Sequence, residues 1–242
     1  MEASLRSCTQ CIPTETCEVG LNGHVPPHLQ CRLVTETVKF LMYQREQIPM
    51  PYEHLKQQIA LQEQKERKRL SLETKKCLQT LSNIDELFKN LERVFEIAQV
   101  TRILILFGST AVSPKEIYIL NLNRLHHHDA VSRVNTKAGV QSLMRTLITN
   151  GPLSEVDTLV PTSTIVLLEA HRDSALSWFR PKVTYKLPIR GKRFEIHFST
   201  CSEFNSKEGG HNEDSNLIWY QSPCSIKGLQ MKTKPVASTS CF

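Results

Sequence analysis

The sequence predicts an α+β domain, with helices and a β-hairpin first, then a further helix and several strands, and no βαβ alternation. Three observations carry this. Apolar residues at spacings of four and three run from Cys77 to Ala98, a wholly apolar run spans Ile103 to Phe107, and period-two alternation marks Val183, Tyr185 and Leu187, then Phe194, Ile196 and Phe198. The 242 residues suit one domain with tails, or less easily two small ones, at about 150 residues per domain.

Hydrophobic residues make up 40% of the chain, enough to bury a core, yet the longest apolar run has only five residues. A bilayer needs roughly 20, so no membrane span or membrane partner is expected. No apolar stretch follows a positive start, so the expectation is an intracellular chain without a secretory signal. Lys and Arg number 30 against 24 Asp and Glu, a net +6. That mild excess suits acidic partners but falls short of the clustering of a dedicated nucleic-acid binder.

Taken in order, residues 1–28 hold Pro13, Gly20, Gly23, Pro26 and Pro27 without a sustained period, and are expected to form a flexible tail. Leu33, Val34, Val38, Phe40, Leu41, Met42 and Tyr43 cover several faces of a helix over Leu33 to Gln47, buried on most sides and stopped before Pro49-Met50-Pro51. A short helix starts at Tyr52. Gln62 to Lys76 has six basic and three acidic residues and is expected to be a solvated connector. The seam of Cys77, Leu81, Ile84, Phe88, Leu91, Phe95 and Ala98 makes a helix of about six turns that packs on a sheet.

Arg102 to Phe107 has the pattern of a central strand covered on both faces. Ile117 to Leu122 pairs with it as an antiparallel hairpin across Gly108 to Pro114. Thr136 to Asn150 is a helix with Val140, Leu143, Met144, Leu147 and Ile148 on its apolar positions, ended by Gly151-Pro152. Thr164 to Ala170 is a strand, and the alternating stretches around Pro188 to Lys192 are expected to form a hairpin with one wet face. Residues 199–215 form a loop, Leu217 to Gln221 a last strand, and the chain frays from Lys227. The expected organisation is a tail over 1–28, one domain over 29–230 and a tail over 231–242.

Catalytic signatures are missing. Nine glycines include no G-x-G-x-x-G or G-x-x-x-x-G-K-[ST] spacing, and neither G-x-S-x-G nor H-E-x-x-H occurs. The eight cysteines are expected to be reduced thiols. Cys8, Cys11, Cys17 and Cys31, with His24 and His28, would suffice for zinc, but the second tight knuckle is missing and a thiol-carrying tail is the better reading. His126-His127-His128-Asp129 is expected to be a polar loop rather than a chelate, and His171-Arg172-Asp173 a turn rather than a base without a nucleophile. No metal site, catalytic residue or cofactor is assigned. Two alternatives stay open: a metal-dependent or His/Asp hydrolase, and a nucleic-acid module using the basic connector 65–76. The interleaved Glu66 and Glu73 and the lack of neighbouring aromatics weigh against the second. Trp178-Phe179-Arg180-Pro181-Lys182 joins two aromatics to two cations across a rigid proline, a composition shared by interfaces and by core packing at a strand entrance.

Five ordered blocks together resemble one known family: Met42 to Lys56, Arg102 to Gly108, Val112 to Glu116, Trp178 to Lys182 and Ile218 to Gln221. They are similar to the comet family, the Mad-two-binding adaptors of the spindle assembly checkpoint, over about residues 30–229. The resemblance implies a HORMA-like fold: three main helices on an antiparallel sheet, with C-terminal strands wrapping as a safety belt. It also implies an adaptor, not an enzyme, that binds the closed form of the checkpoint protein across its dimerisation face. The complex would then be presented to an AAA+ ATPase for remodelling, silencing the checkpoint. The implied setting is the nucleus and cytoplasm, and the spindle in mitosis. The family's checkpoint-binding Gln falls on Gln44, and its aromatic partner falls on Met144, a flexible apolar side chain in place of a ring. Spacing alone puts Met144 in the core. The ATPase-facing Pro-Lys pair falls on Pro181 and Lys182.

Overall fold

The computed structural model describes residues 14–65, 70–125, 132–149, 158–200 and 216–230. Helix α1 (Pro27–Gln44) opens on a proline, which suits a first turn whose N–H has no partner within the helix. It buries Leu29, Leu33, Val34, Val38, Leu41 and Met42, so it is enclosed on most sides as its composition predicts. It stops three residues earlier than expected, where Arg45 caps it and Glu46 takes a left-handed φ of 54°. Helix α2 (Tyr52–Lys65) follows Pro51. Helix α3 (Leu72–Ile97) is capped by Ser71, whose hydroxyl accepts from the Thr74 N–H at 3.0 Å. The expected solvated connector is thus narrower than its composition indicates: α2 takes it up to Lys65 and α3 begins at Leu72, while 66–69 lie outside the described residues. Helix α3 buries Cys77, Leu81, Ile84, Leu91 and Phe95 of the predicted seam together with Leu87 and Val94; Ala98 caps the helix, and the partly buried Phe88 meets Tyr52 of α2 edge-on at 5.7 Å. Helix α4 (Thr136–Thr149) buries Gly139, Leu143 and Leu147.

Among the described residues eight strands form one sheet: β1 (Thr14–Leu21), β2 (Val100–Phe107), β3 (Glu116–Asn121), β4 (Ser163–His171), β5 (Arg180–Lys182), β6 (Lys192–Thr200), β7 (Leu217–Gln221) and β8 (Ile226–Lys227). Their order is β1-β6-β3-β2-β4-β7-β5, with β8 beside β4. The β2–β3 hairpin is antiparallel, Ile103 facing Leu120 and Ile105 facing Tyr118. Residues of β2 point alternately into two apolar layers. Ile103, Ile105 and Phe107 join the main core under the helices, while Leu104 and Leu106 meet Ile117, Ile119, Ile165, Leu167 and Trp219 on the back of the sheet.

Several expectations change. Among the described residues the main helices number four, and the sheet is mixed, because β6 runs parallel to both β1 and β3. Residues 14–28 do not form a tail: β1 pairs with β6 from Thr14 opposite Arg193 to Leu21 opposite Thr200, and Cys17, Val19 and Leu21 face the core. Their period of two is present in the sequence but surrounded by Gly, Pro and polar residues. The hairpin expected around Pro188 to Lys192 does not form. Tyr185 and Leu187 instead close the apolar layer on the back of the sheet, so their alternation belongs to a strap crossing that face and not to a strand beside β6. The segments 1–13, 201–215 and 231–242 lie outside the described residues.

Candidate functional site

Gln44 is the last residue of α1, and its side chain is exposed although most of the helix is not. The turn after it is held by buried groups. The Arg45 guanidinium donates from Nε to Glu116 Oε2 at 2.9 Å and from Nη2 to Oε1 at 2.5 Å, and the two side chains are only 5% and 4% exposed. The Tyr118 hydroxyl adds a third bond to Glu116, at 3.0 Å. Burial alone would pull Arg45 down, but the hydrogen bonds and charge of Glu116 outweigh it and hold the guanidinium above its ordinary value. Two residues on, the fully buried Gln47 donates to the Arg45 carbonyl at 2.6 Å and accepts from the Thr162 N–H at 2.7 Å. Its own carbonyl accepts from the Leu229 N–H at 2.8 Å, which fastens the C-terminal segment to the turn.

Gln44, Tyr43, Glu46, Pro49, Pro161 and Gln230 thereby border an open concavity of about 620 Å³. Met144 lies on the neighbouring helix α4, half-buried against the main core, which is where its spacing placed it. The two helices meet near their starts, with Leu29 against Gly139. From there Gln44 lies about 22 Å along α1 and Met144 about 8 Å along α4, at 1.5 Å per residue. The structure therefore sets them on two adjacent helices and not in mutual contact.

Pro181 and Lys182 occupy β5, an edge strand of the sheet, and both are exposed. Pro181 faces Tyr220 and Lys182 faces Trp219. Proline is at home on an edge, where its missing N–H costs no ladder bond. The strand is anchored by the aromatics before it. Phe179 is buried, Trp178 stands edge-on to it at 4.8 Å, and the indole N–H donates to Glu86 of α3 at 3.0 Å. The two aromatics are therefore anchors, and the free side chains are the cations. Six residues along β4 and its entrance separate Leu168, opposite Tyr220, from Thr162, which holds Gln47. At about 3.3 Å per residue and two strand spacings of about 4.8 Å, the Pro181 edge stands some 22 Å from the Gln44 turn. The two surfaces are separate.

A model of the p31comet family, described as Mad1 and Cdc20-bound-Mad2 binding, matches residues 2–231. The chain belongs to this family. The MAD2L1-binding protein of Mus musculus is 34% identical over 224 residues, spanning 90% of this chain and 80% of the mouse protein. The MAD2L1-binding protein of Homo sapiens is 32% identical over 208 residues, spanning 83% and 74%. The α+β architecture, four helices on a mixed sheet, is compatible with a HORMA-like fold.

In this p31comet-family chain the other polar clusters recede. Cys17 and Cys31 are core side chains, and burial pushes their thiols up to about 11 and about 12, which disfavours the thiolate that a metal needs. No three His, Cys, Asp or Glu side chains converge on a metal-sized site among the described residues, and Cys8, Cys11 and His126 to Asp129 lie outside them. His171 and Asp173 form a local turn, the His171 Nδ1 accepting from the Asp173 N–H at 3.3 Å. Of the basic connector, the described residues sit at the end of α2 and the start of α3. No described helix is long and apolar enough to cross a membrane. The sequence offered no route to Arg45, Gln47 or Glu116 as the frame of the Gln44 turn. Arg45 and Glu116 are 71 positions apart, and the only signal was membership of the family blocks, Arg45 and Gln47 in Met42 to Lys56 and Glu116 at the end of Val112 to Glu116.

Proposed function

We propose that this chain is a checkpoint adaptor: it binds the closed form of Mad2 at its dimerisation face through Gln44 and Met144, and presents the complex through Pro181 and Lys182 to an AAA+ remodelling ATPase. In this reading it acts without catalysis of its own, silences the spindle assembly checkpoint, and works in the nucleus and cytoplasm and on the mitotic spindle. Strands β7 and β8 are the counterpart of a HORMA safety belt.

The observation that supports this most strongly is the presence, on a chain of this family, of two exposed surfaces about 22 Å apart by strand geometry, each fixed from beneath. A primary amide both donates and accepts, so Gln44 can satisfy a partner's backbone on a turn already immobilised, at little entropic cost. Met144 offers a flexible thioether to an apolar hole while part of it stays packed in the core. The proline in β5 blocks strand addition at that edge, so a partner there meets side chains rather than the ladder. Lys182 then supplies a charge for an acidic surface.

A pull-down of the full chain with both partners tests this. Wild type should retain closed Mad2 and the ATPase, while the pair Gln44→Ala, Met144→Arg should lose Mad2. The pair Pro181→Ala, Lys182→Glu should keep Mad2 and lose the ATPase. Retention of ATPase recruitment by the second pair would sink the assignment of β5, and Mad2 binding unchanged in the first pair would sink that of α1 and α4.

A further inference from the structure

The back of the sheet carries a surface of which the readings above use only Lys182. Between β5 and β6 the chain crosses that face as a strap, and from Ser174 to Arg193 it contains six cations (Arg180, Lys182, Lys186, Arg190, Lys192 and Arg193) and no carboxylate. Of these, all but Arg193 are exposed. Two apolar side chains stand out among them, Val183 at 57% exposure and Ile189 at 82%, and Val112 of the adjoining β2–β3 turn reaches 79%. The nearby carboxylates on this face are already engaged. Glu169 receives both arms of Arg102, at 2.6 and 2.5 Å, and Glu195 sits 3.3 Å from His197.

The strap is also anchored to the sheet and to the β2–β3 turn. Tyr185 packs edge-on to Trp219 at 6.2 Å and its hydroxyl donates to the Ala111 carbonyl at 2.9 Å. Leu187 is sunk in the apolar layer, Pro188 is buried, and Arg193 donates to the Pro188 carbonyl at 3.0 Å. Gly191 has a φ of 109°, and a β-carbon there would come within 2.9 Å of the Pro114 carbonyl, so the strap is pressed against the β2–β3 turn. Tyr185, Leu187 and Pro188 thus hold the strap down, while Val183, Thr184, Lys186, Ile189 and Arg190 stand exposed.

From this juxtaposition of five exposed cations, protruding Val183 and Ile189 and an anchored backbone, we infer that the strap is a docking surface for a protein partner with a carboxylate-rich face around an apolar pocket. It continues the edge that begins at Pro181 and Lys182. Lys186 and Arg190, beyond that edge, steer and orient, and Ile189 is the anchor. The partner tested is the AAA+ ATPase, so the proposal rests on the β5 reading for the partner's identity.

The test uses the full chain loaded with closed Mad2 and titrates the ATPase at several ionic strengths. The pair Lys186→Glu, Arg190→Glu and the single Ile189→Asp should each weaken ATPase binding at least tenfold, with Mad2 binding and melting temperature unchanged, and the wild-type affinity should fall as salt rises. A control reversing the same charge on α3, Lys89→Glu with Arg93→Glu, should stay within twofold of wild type. Wild-type affinity in both strap variants, alongside loss in Lys182→Glu, would overturn the strap and leave the β5 reading standing. Loss in the strap variants with Lys182→Glu unaffected would uphold the strap and remove the β5 assignment. If the strap variants abolished binding to duplex DNA or to phosphatidylserine vesicles and left the ATPase untouched, the surface would belong to a different class of partner and the proposal would fall.

Discussion

Removing the carboxylate of Glu116 should be among the most damaging single changes in this fold, and its cost can be worked from the geometry. The Arg45–Glu116 pair is bidentate, nearly excluded from water, and takes a third bond from Tyr118. Glu116→Ala would leave a guanidinium buried without its counter-charge and a tyrosine hydroxyl without its acceptor. Breaking a buried pair from one side costs about 3–5 kcal/mol, whereas replacing both members with apolar residues of similar volume is often neutral. For a domain of this size, 1 kcal/mol moves the midpoint about 2–4 °C, so Glu116→Ala should melt about 6–20 °C below wild type. The double variant Arg45→Met, Glu116→Leu should recover most of that loss. Calorimetry or a urea titration of the four proteins of the cycle measures this. A Glu116→Ala protein within about 1 kcal/mol of wild type, or a double variant as unstable as the single, would refute the reasoning. Arg45 follows Gln44 directly, so hydrogen exchange in the single variant should quicken at residues 44–48 before the β2–β3 pairing opens.

Other expectations follow from the same coordinates. Gln44→Ala should weaken binding of closed Mad2 by about 1–2 kcal/mol, or five- to thirtyfold, without moving the melting temperature, because the side chain is exposed and supports nothing beneath it; isothermal calorimetry checks both halves. Gly228→Ala should cost about 1–3 kcal/mol, since a β-carbon would lie 2.6 Å from Gln47 Oε1 and 2.9 Å from the Thr162 carbonyl. Limited proteolysis should then cut faster after β8, and unchanged cleavage and stability would contradict the close approach. Stability should fall as pH rises above about 9: the Cys31 thiol is raised from 9.0 to about 12 by burial, so its contribution is complete below the unfolded value and is lost between the two. Cys31→Ala should flatten the stability profile across that interval in a urea series, and a profile parallel to wild type would count against burial as the cause.

Some of this architecture was legible because it rests on local periodicity. The α3 seam repeats every three or four residues whatever lies around it, and Ile103 to Phe107 is wholly apolar because both its faces are covered. The exposed cations of the Trp178 to Lys182 block were legible for a similar reason, since a charge must reach water or a counter-charge. By contrast, the alternation of Val183, Tyr185 and Leu187 misled. Period two shows that one side of a segment is buried and says nothing about whether its backbone bonds belong to a neighbouring strand.

The sequence by itself determined the α+β class, most helix and strand positions and the order of the five family blocks, because local propensity, burial pattern and motif order are properties of a linear string. The tertiary structure decided what depends on pairing between distant segments. It placed β1 parallel to β6, turned an expected hairpin into a strap across the back of the sheet, and joined Arg45 to Glu116 and Gln47 to both Thr162 and Leu229. Hydrogen-bond partners and buried counter-charges are chosen by proximity in space, and closing a loop of 71 or 115 residues leaves no periodic trace in the chain.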